Sequence, residues 1–556
     1  MGIVLGLHNS FTSVSHDSSA TLIQNGVVVG AIEEERLSRK KTSSGYPPTN
    51  SIRELLRINR LKISDIDLCV SDGSTFPKMS KKISQWLEYE FGYSPKISLV
   101  SQPKAHTLGS FFSSGWKEAL SISVEGSGDK VSTYVTLCKK NANGLLENQK
   151  VLYSADSSKS LGFFYSIFTQ YLGFEAVEGE YKLMGMSALG NPIHDLSWVI
   201  SFNRNSGDID SNLSKIQTTV KRTALSEPMF NRDAIIKLVG TEPRVPKTEI
   251  LKGHLDLAAS VQECFKQSYI ELIKYWVNKT GIQKVCLSGG CALNALANME
   301  LLKMDLEGLY VMPASSDRGV SLGAAFWGSN IIGDAPQSVK SMELGRSFSD
   351  EIIKSELESY KLHMKNASND STLIKLDTLS LIKKAANDLI AGKIVGWFQG
   401  RSEFGPRALG NRSILANPRI SGMKSHLNKQ IKFRESYRPF APAILESSFP
   451  VIYNKDIDLT KMTITVPVPS NQMANFPEAI HSDGTSRVQI VSKKSNLFSQ
   501  LLEEIELQEG HGSLINTSFN LQGEPIVDSP ADAIRTFYSS GIDVLYMGNI
   551  RISKNG

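Results

Sequence analysis

Twice in this chain an apolar run breaks at a short polar turn and resumes in the reverse sense, the pattern of an antiparallel β-meander. Ile3–His8 is apolar and Ser18–Ile23 is apolar-rich, and Asn25–Gly26 then supplies a hairpin turn before Val27–Ile32. An echo follows at Leu120–Val124, where a Gly-containing turn over Glu125–Asp129 leads to Ser132–Leu137 and the polar turn Lys139–Gly144. Each copy carries carboxylates in or beside its first turn, Asp17 in one and Glu125 with Asp129 in the other. The pattern reads as an internal duplication.

Helical spacing appears at Val261, Phe265, Tyr269, Leu272, Ile273 and Trp276, with Gly281 as a stop signal. The strand Lys284–Leu287 runs into Gly289–Gly290. Residues 201–250 are polar and poorly periodic and read as an insertion, while 329–375 lose pattern and read as a domain boundary. Leu379–Ile390 resumes as a helix, Lys393–Phe398 as a strand, and a β-rich second part follows. At roughly 150 residues per domain, 556 residues give three or four domain-sized units.

Charge and cysteine use narrow the function classes. A net charge of +5, from 61 Lys+Arg against 56 Asp+Glu, is not the clustered basic footprint of a nucleic-acid binder. The five cysteines are scattered without a CxxC, which argues against a disulfide framework or zinc ribbon and for a reducing compartment. No apolar run approaches ~18 residues, so no membrane span is expected. The N-terminal segment lacks a basic leader pattern, so the expected location is cytoplasmic.

Three turns could approach a nucleotide. His16–Asp17–Ser18–Ser19 sits between the first two strands, where a carboxylate could hold a metal or simply shape a turn. Ser288–Gly289–Gly290 and Asp317–Arg318–Gly319 lie between strands and helices, where glycine permits close backbone approach and helix N-termini favour anions. Beside the repeated meander these suggest the actin-like ATPase plan. Gln102 and His106, four apart, would share one helix face.

The densest signal is Gly400–Ser413, with Arg401, Arg407 and Arg412 among three glycines. Lys432, Arg434, Arg438 and Arg487 follow, and Asn516–Asn520 lies near Gly523–Pro525. Arginine presents planar paired donors to phosphate, so these residues suggest a concave site for a small polyanion such as a triphosphate or carbamoyl phosphate.

The chain resembles the O-carbamoyltransferases of the NodU/CmcH/TobZ type, in which a TsaD/Kae-like domain is fused to a YrdC-like domain. Phe404–Ser413 and Asn516–Asn520 carry the resemblance most specifically. Glu34–Arg36 with Arg39–Lys41, Glu180–Lys182 with Met184–Gly185, and Arg438–Pro442 support it. It implies an α/β and α+β protein: a duplicated actin-like, TsaD/Kae-like transfer domain over residues 1–345 and a YrdC-like adenylate-forming domain over 370–556. It implies ATP and carbamoyl phosphate as co-substrates, a carbamoyl-adenylate intermediate, and transfer to a hydroxyl of a natural-product or sugar-like acceptor, with a homodimer common. Arg407, Arg412, Lys432 and Arg487 match phosphate-binding positions, and Met462, Ser518 and Asn520 match the lining of that site. His16 matches the histidine implicated in transfer and Lys41 a basic residue near the transferred group, while Gly289, Gly290 and Asn294 match the nucleotide turn. His106 and Asp317 match two ligands of an iron site, but Gln102 and Pro103 stand where the family usually carries histidines. The amide of Gln102 is a poor ligand for a soft metal, so weakened iron binding or a harder ion, Mg²⁺ or Mn²⁺, is expected.

Two rival readings remain at this stage. A threonylcarbamoyl-adenosine-type tRNA modification enzyme would share both domain types, although the mild charge speaks against it. An actin-like nucleotide-binding regulator would bind ATP without converting it to AMP.

Overall fold

β1 (Ile3–His8), β2 (Ser19–Gln24) and β3 (Val27–Glu33) form the first meander. Its hairpin turns through Asn25 and Gly26, both left-handed at φ 51° and 81°, as a primed turn requires. β1 then pairs in parallel with β4 (Leu68–Ser71), and β5 (Ile97–Leu99) pairs in parallel with β4, giving the order β3-β2-β1-β4-β5. The computed structural model describes residues 2–11, 15–218, 229–364, 371–449, 456–493 and 496–554.

β6 (Glu118–Gly128), β7 (Val131–Lys140) and β8 (Leu146–Asp156) form the second meander. β6 therefore runs through Glu125 to Gly128, and the turn is confined to Asp129 and Lys130, shorter than the sequence pattern suggests. A hairpin of β9 (Ile200–Asn203) and β10 (Asp208–Ser211) comes next. β11 (Lys284–Ser288) lies parallel to β6, and β12 (Gly308–Val311) parallel to β11. With the short strand Asp456–Ile457 on β12, the order from the far edge is β8-β7-β6-β11-β12, the same order and strand senses as the first sheet.

Helix Val320–Ile331 packs on both β1 and helix Gln102–Ser114. The approach needs glycine: a Cβ on Gly323 would lie 1.8 Å from the Ala105 carbonyl oxygen. This packing carries the N-terminal turns of both helices to the region of the strands' carboxyl ends, where open α/β sheets place their ligands.

Contacts divide the chain into two units, which are not collinear with the sequence. One comprises Met1–Glu34, Thr42–Lys340 and Asn454–Asp458, and the other Glu35–Lys41, Ser341–Tyr453 and Leu459–Gly556. Two sequence readings are corrected here. Residues 329–375 are not a patternless linker, since they include helix Asp350–Met364 and strand Ser371–Lys375; residues 365–370 lie outside the described residues. Within residues 201–250, Phe202, Ile209, Leu213, Ile216, Met229 and Ile235 are buried, and strand Ile200–Asn203 packs on helix Lys252–Thr280 with Phe202 against Tyr275. Each short element contributes only one or two apolar side chains, too few to show a period; 219–228 lie outside the described residues.

The second unit is built on a mixed eight-stranded sheet. Helix Thr378–Ile390 and helix Leu497–Glu509 pack one against the other, burying Leu381, Ala385, Leu389, Leu501 and Ile505 with Trp397 and Tyr546. The first of these helices starts where the Asp377 carboxylate accepts from the Ser380 N–H at 3.0 Å. On the same helix, buried Asp388 accepts from Arg551 Nε at 2.7 Å, Tyr546 Oη at 2.7 Å and Lys393 Nζ at 3.0 Å. Burial would raise its pKa, but the Arg551 and Tyr546 hydrogen bonds win and hold it below the ordinary carboxylate value.

Asp388→Ala is expected to destabilise this unit by about 3–5 kcal/mol, because Arg551 is left buried without its counter-charge. A carboxylate with a depressed folded-state pKa contributes stability above its unfolded pKa and loses it as pH falls through the folded value. Urea unfolding should therefore show a gap between wild type and variant that is full at pH 7 and narrows below about pH 4. An equal gap at both pH values would contradict this.

Candidate functional site

In the first unit, strand ends and helix starts bring six titratable side chains together. His8 closes β1, His16 and Asp17 lie in the loop before β2, His106 sits in the first turns of helix Gln102–Ser114, Glu125 near the end of β6, and Asp317 in the turn after β12. His106 Nε2 lies 3.2 Å from Glu125 Oε2 and 3.4 Å from Asp317 Oδ1. His16 Nε2 is 3.8 Å and His8 Nε2 3.9 Å from Asp317 Oδ2.

The electrostatics follow from this packing. Burial opposes a proton on His106, but Glu125 and Asp317 outweigh it and raise the pKa to about 10. Burial likewise opposes charge on Asp317, yet the His106 hydrogen bond and the three histidines hold it at about 2. Burial dominates at Glu125 and moves its pKa upward. His8 is raised to about 9 against burial, chiefly by Asp72 at 3.1 Å; its Nε2 faces the His16 carbonyl at 2.9 Å.

One ligand atom from each of His106, Glu125 and Asp317 lies within 4.8 Å of the others. Glu125 Oε1 is buried and finds no hydrogen-bond partner among the described residues, while His106 Nε2 faces only the two carboxylates. Unpaired buried polar atoms are costly, and an imidazole with two carboxylates is a donor set that a divalent cation satisfies. The residues therefore fit a metal. Gln102 does not join them as a ligand: its Nε2 donates to Asp317 Oδ1 at 2.7 Å, while its backbone N–H caps on Asp129 Oδ2 at 2.8 Å. Glu125 takes the third place, which sequence reasoning missed by assigning it to a turn.

The glycine turn after β11 is tightly fitted. Gly289 is left-handed at φ 82°, and a Cβ there would meet the Val124 carbonyl oxygen at 2.3 Å. Gly290 opens the short helical turn that follows. Asn294 is committed internally, its Oδ1 accepting from Ala297 N–H at 3.0 Å and its Nδ2 donating to Gln262 at 2.9 Å.

In the second unit the cations separate into two roles. Arg412 is fully buried, lies 3.7 Å over the Phe398 ring, and donates to the Gln399 carbonyl at 2.6 Å and the Arg346 carbonyl at 3.1 Å. These bonds have it holding a loop. Arg36 and Arg39 also serve backbone, donating to the Gly405, Ile526 and Pro525 carbonyls. Lys41 belongs to the same unit, at the start of a single 3₁₀ turn.

Lys432 and Arg487 form the other group, with Arg407, Arg434 and Arg438. Burial, then Arg434 and Arg438, push the Lys432 amine well below its ordinary value. Burial, then Arg407, Arg434 and Arg438, do the same to Arg487. Lys432 Nζ donates to the Ser518 carbonyl and to Asn520 Oδ1 at 3.0 Å, which places Ser518 and Asn520 beside it. Met462 is buried with a left-handed φ of 56°. Arg434 and Arg438 thus bear on both the buried amine and the buried Arg487, with Arg407 on Arg487 as well; like charges repel, and an anion would relieve them.

Arg487→Met removes a desolvated cation from that cluster. The unliganded protein should gain about 1–4 kcal/mol in urea unfolding. Inorganic pyrophosphate should raise the unfolding midpoint of the wild type and not that of the variant. A destabilised variant, or one that still responds to pyrophosphate, would contradict this reading.

Comparison with known proteins places the chain. The carbamoyltransferase C-terminus family model matches residues 386–554, and the carbamoyltransferase N-terminus model matches 4–90 and 73–326. Nodulation protein NolNO of Sinorhizobium fredii is 32% identical over 99% of this chain and 80% of its own length. Nodulation protein NolO of Bradyrhizobium diazoefficiens is 32% identical over 82% of this chain and 79% of its own. The 3'-hydroxymethylcephem-O-carbamoyltransferase of Amycolatopsis lactamdurans is 27% identical over 66% of this chain and 64% of its own length. Among the described residues no helix is long and apolar enough to cross a membrane. With both halves matched and relatives aligned along nearly its whole length, this chain belongs to the carbamoyltransferase family and is an O-carbamoyltransferase of the NodU/CmcH type.

Proposed function

We propose that the protein makes carbamoyl-adenylate from ATP and carbamoyl phosphate, releasing pyrophosphate and phosphate, and passes the carbamoyl group to a hydroxyl of a small acceptor. The observation that carries the reading is the presence of two chemically different charged sites, one in each unit. The cationic cluster of the second unit suits a reacting polyphosphate, since Arg407, Lys432 and Arg487 would stabilise charge as the α–β phosphate bond breaks. In the first unit the site is instead a histidine beside carboxylates, suited to moving a proton and orienting a hydroxyl.

In this account the first unit is the TsaD/Kae-like transfer domain, with its two like-ordered sheets as repeated actin-like halves, and the second is the YrdC-like domain. His16 takes the acceptor's proton at Nε2. Its oxygen attacks the carbamoyl carbon, the carbonyl–AMP bond breaks, AMP leaves, and a carbamate ester remains. Asp317 lies beside His16 and stabilises the imidazolium that forms. His106, Glu125 and Asp317 would hold a divalent ion, which when bound supplies positive charge for the departing phosphate. A proton and a cation compete for His106 Nε2, so loading the site releases a proton. Excluding water matters because the mixed anhydride hydrolyses readily.

The acceptor is proposed to be a sugar-like or natural-product hydroxyl, by analogy with the cephem-acting relative. The enzyme is expected to work in the cytoplasm without nucleic acid, as a homodimer. The test needs no acceptor. Incubation of ATP with the protein should give AMP and pyrophosphate only when carbamoyl phosphate is added. ATP that stays intact, or that yields only ADP, would end this reading.

A further inference from the structure

The turn that carries Asp317 is stitched to the loop that carries His16 by the residues one step along in each. Arg318 Nη2 donates to Asp17 Oδ1 at 2.7 Å, and Arg318 Nε lies 3.4 Å from Asp17 Oδ2. Ser316 Oγ donates to the same Oδ2 at 2.9 Å. The Arg318 backbone is fixed as well, its carbonyl accepting from Ser19 Oγ at 2.7 Å. Asp17 is 5% exposed and Glu33, 3.4 Å from Arg318 Nη1, is 2% exposed, so the guanidinium bridges two buried carboxylates. Asp17 holds a left-handed φ of 61°, a conformation that costs free energy in a non-glycine residue and persists where surrounding bonds fix it.

This arrangement turns two mobile-type elements, a strand-connecting loop and a strand-to-helix turn, into one rigid piece. Asp17 adjoins His16 and Arg318 adjoins Asp317, so the paired donors of one guanidinium set the 3.8 Å separation of His16 Nε2 from Asp317 Oδ2. Asp17 also faces His16 directly: His16 Nδ1 is buried and lies 3.7 Å from Asp17 Oδ2, so holding Asp17 holds the ring as well. Lysine could keep the charge but not the fork that reaches both Asp17 oxygens.

We propose that Arg318 and Asp17 act together as a positioning pair that fixes His16 against Asp317, and that neither touches substrate. The proposal rests on the transfer reading above, so its test includes a measurement that does not. Variants Arg318→Lys, Asp17→Asn and the double Asp17→Asn/Arg318→Lys are compared with wild type. The independent readout is the rate at which diethyl pyrocarbonate modifies His16, followed by mass spectrometry of the native protein.

Each single variant should expose His16 about tenfold more, the scale of one charge-assisted hydrogen bond. The double variant should be no worse than the single ones, because the two residues form one unit. Carbamoyl-phosphate-dependent pyrophosphate release, which uses the second unit, should stay unchanged and so report an intact fold. His16 reactivity equal to wild type in every variant would overturn the positioning role. Additive effects in the double variant would overturn the pairing. Absence of carbamoyl-phosphate-dependent pyrophosphate release in the wild type would instead sink the adenylation and transfer reading, with the His16 reactivities still deciding the clamp.

Discussion

Buried charge that the polypeptide does not neutralise by itself is the constraint on which this structure turns. Desolvating a cation or carboxylate costs several kcal/mol in practice, and folds normally avoid it or pair it. The second unit shows both outcomes. Asp388 and Arg551 are paired within the core by direct hydrogen bonds. Arg487 and Lys432 instead face further cations, and both are pushed far from their ordinary values. In the first unit, Glu125 keeps a buried oxygen without a hydrogen bond among the described residues although a histidine and two carboxylates crowd together. Such defects are retained where a ligand completes them.

The scaffold explains how the first of these sites can be built. Parallel neighbours β1 and β4 in one sheet, and β6, β11 and β12 in the other, form the frame, and two glycine-fitted helices pack against it. Side chains from five distant sequence positions thus converge without a continuous motif. Rigidity comes from the turns: Gly289 leaves no room beside Val124, and Arg318 ties its turn to Asp17. A site assembled from rigid connectors suits chemistry on an intermediate that water would destroy.

Much of this was legible in the sequence, for physical reasons. The meanders declare themselves because half-buried antiparallel strands and a primed Asn–Gly turn leave a local pattern. His16, His106 and Asp317 stand out because polar residues at strand ends and helix starts are conspicuous. Glu125 did not, because it closes a strand whose next residues look like a turn. Arg318 did not, because its meaning depends on Asp17, about three hundred positions away. Arg412 looked like its neighbours in an arginine-rich loop, and only its buried contacts with backbone carbonyls distinguish it from Arg487. The burial within residues 201–250 was hidden because its apolar residues are too sparse to show a period.

The most direct test of the claim that the buried histidine–carboxylate cluster is a ligand site is elemental analysis of the protein purified without chelator. The account predicts one divalent ion per chain, of a harder type than tightly held iron because Gln102 donates to Asp317 rather than binding metal. It also predicts that Glu125→Gln weakens that ion's binding at least tenfold, on the scale of a lost metal-site partner. Metal-free protein that takes up no divalent ion on titration, or a Glu125→Gln variant that holds its ion as firmly as wild type, would contradict it.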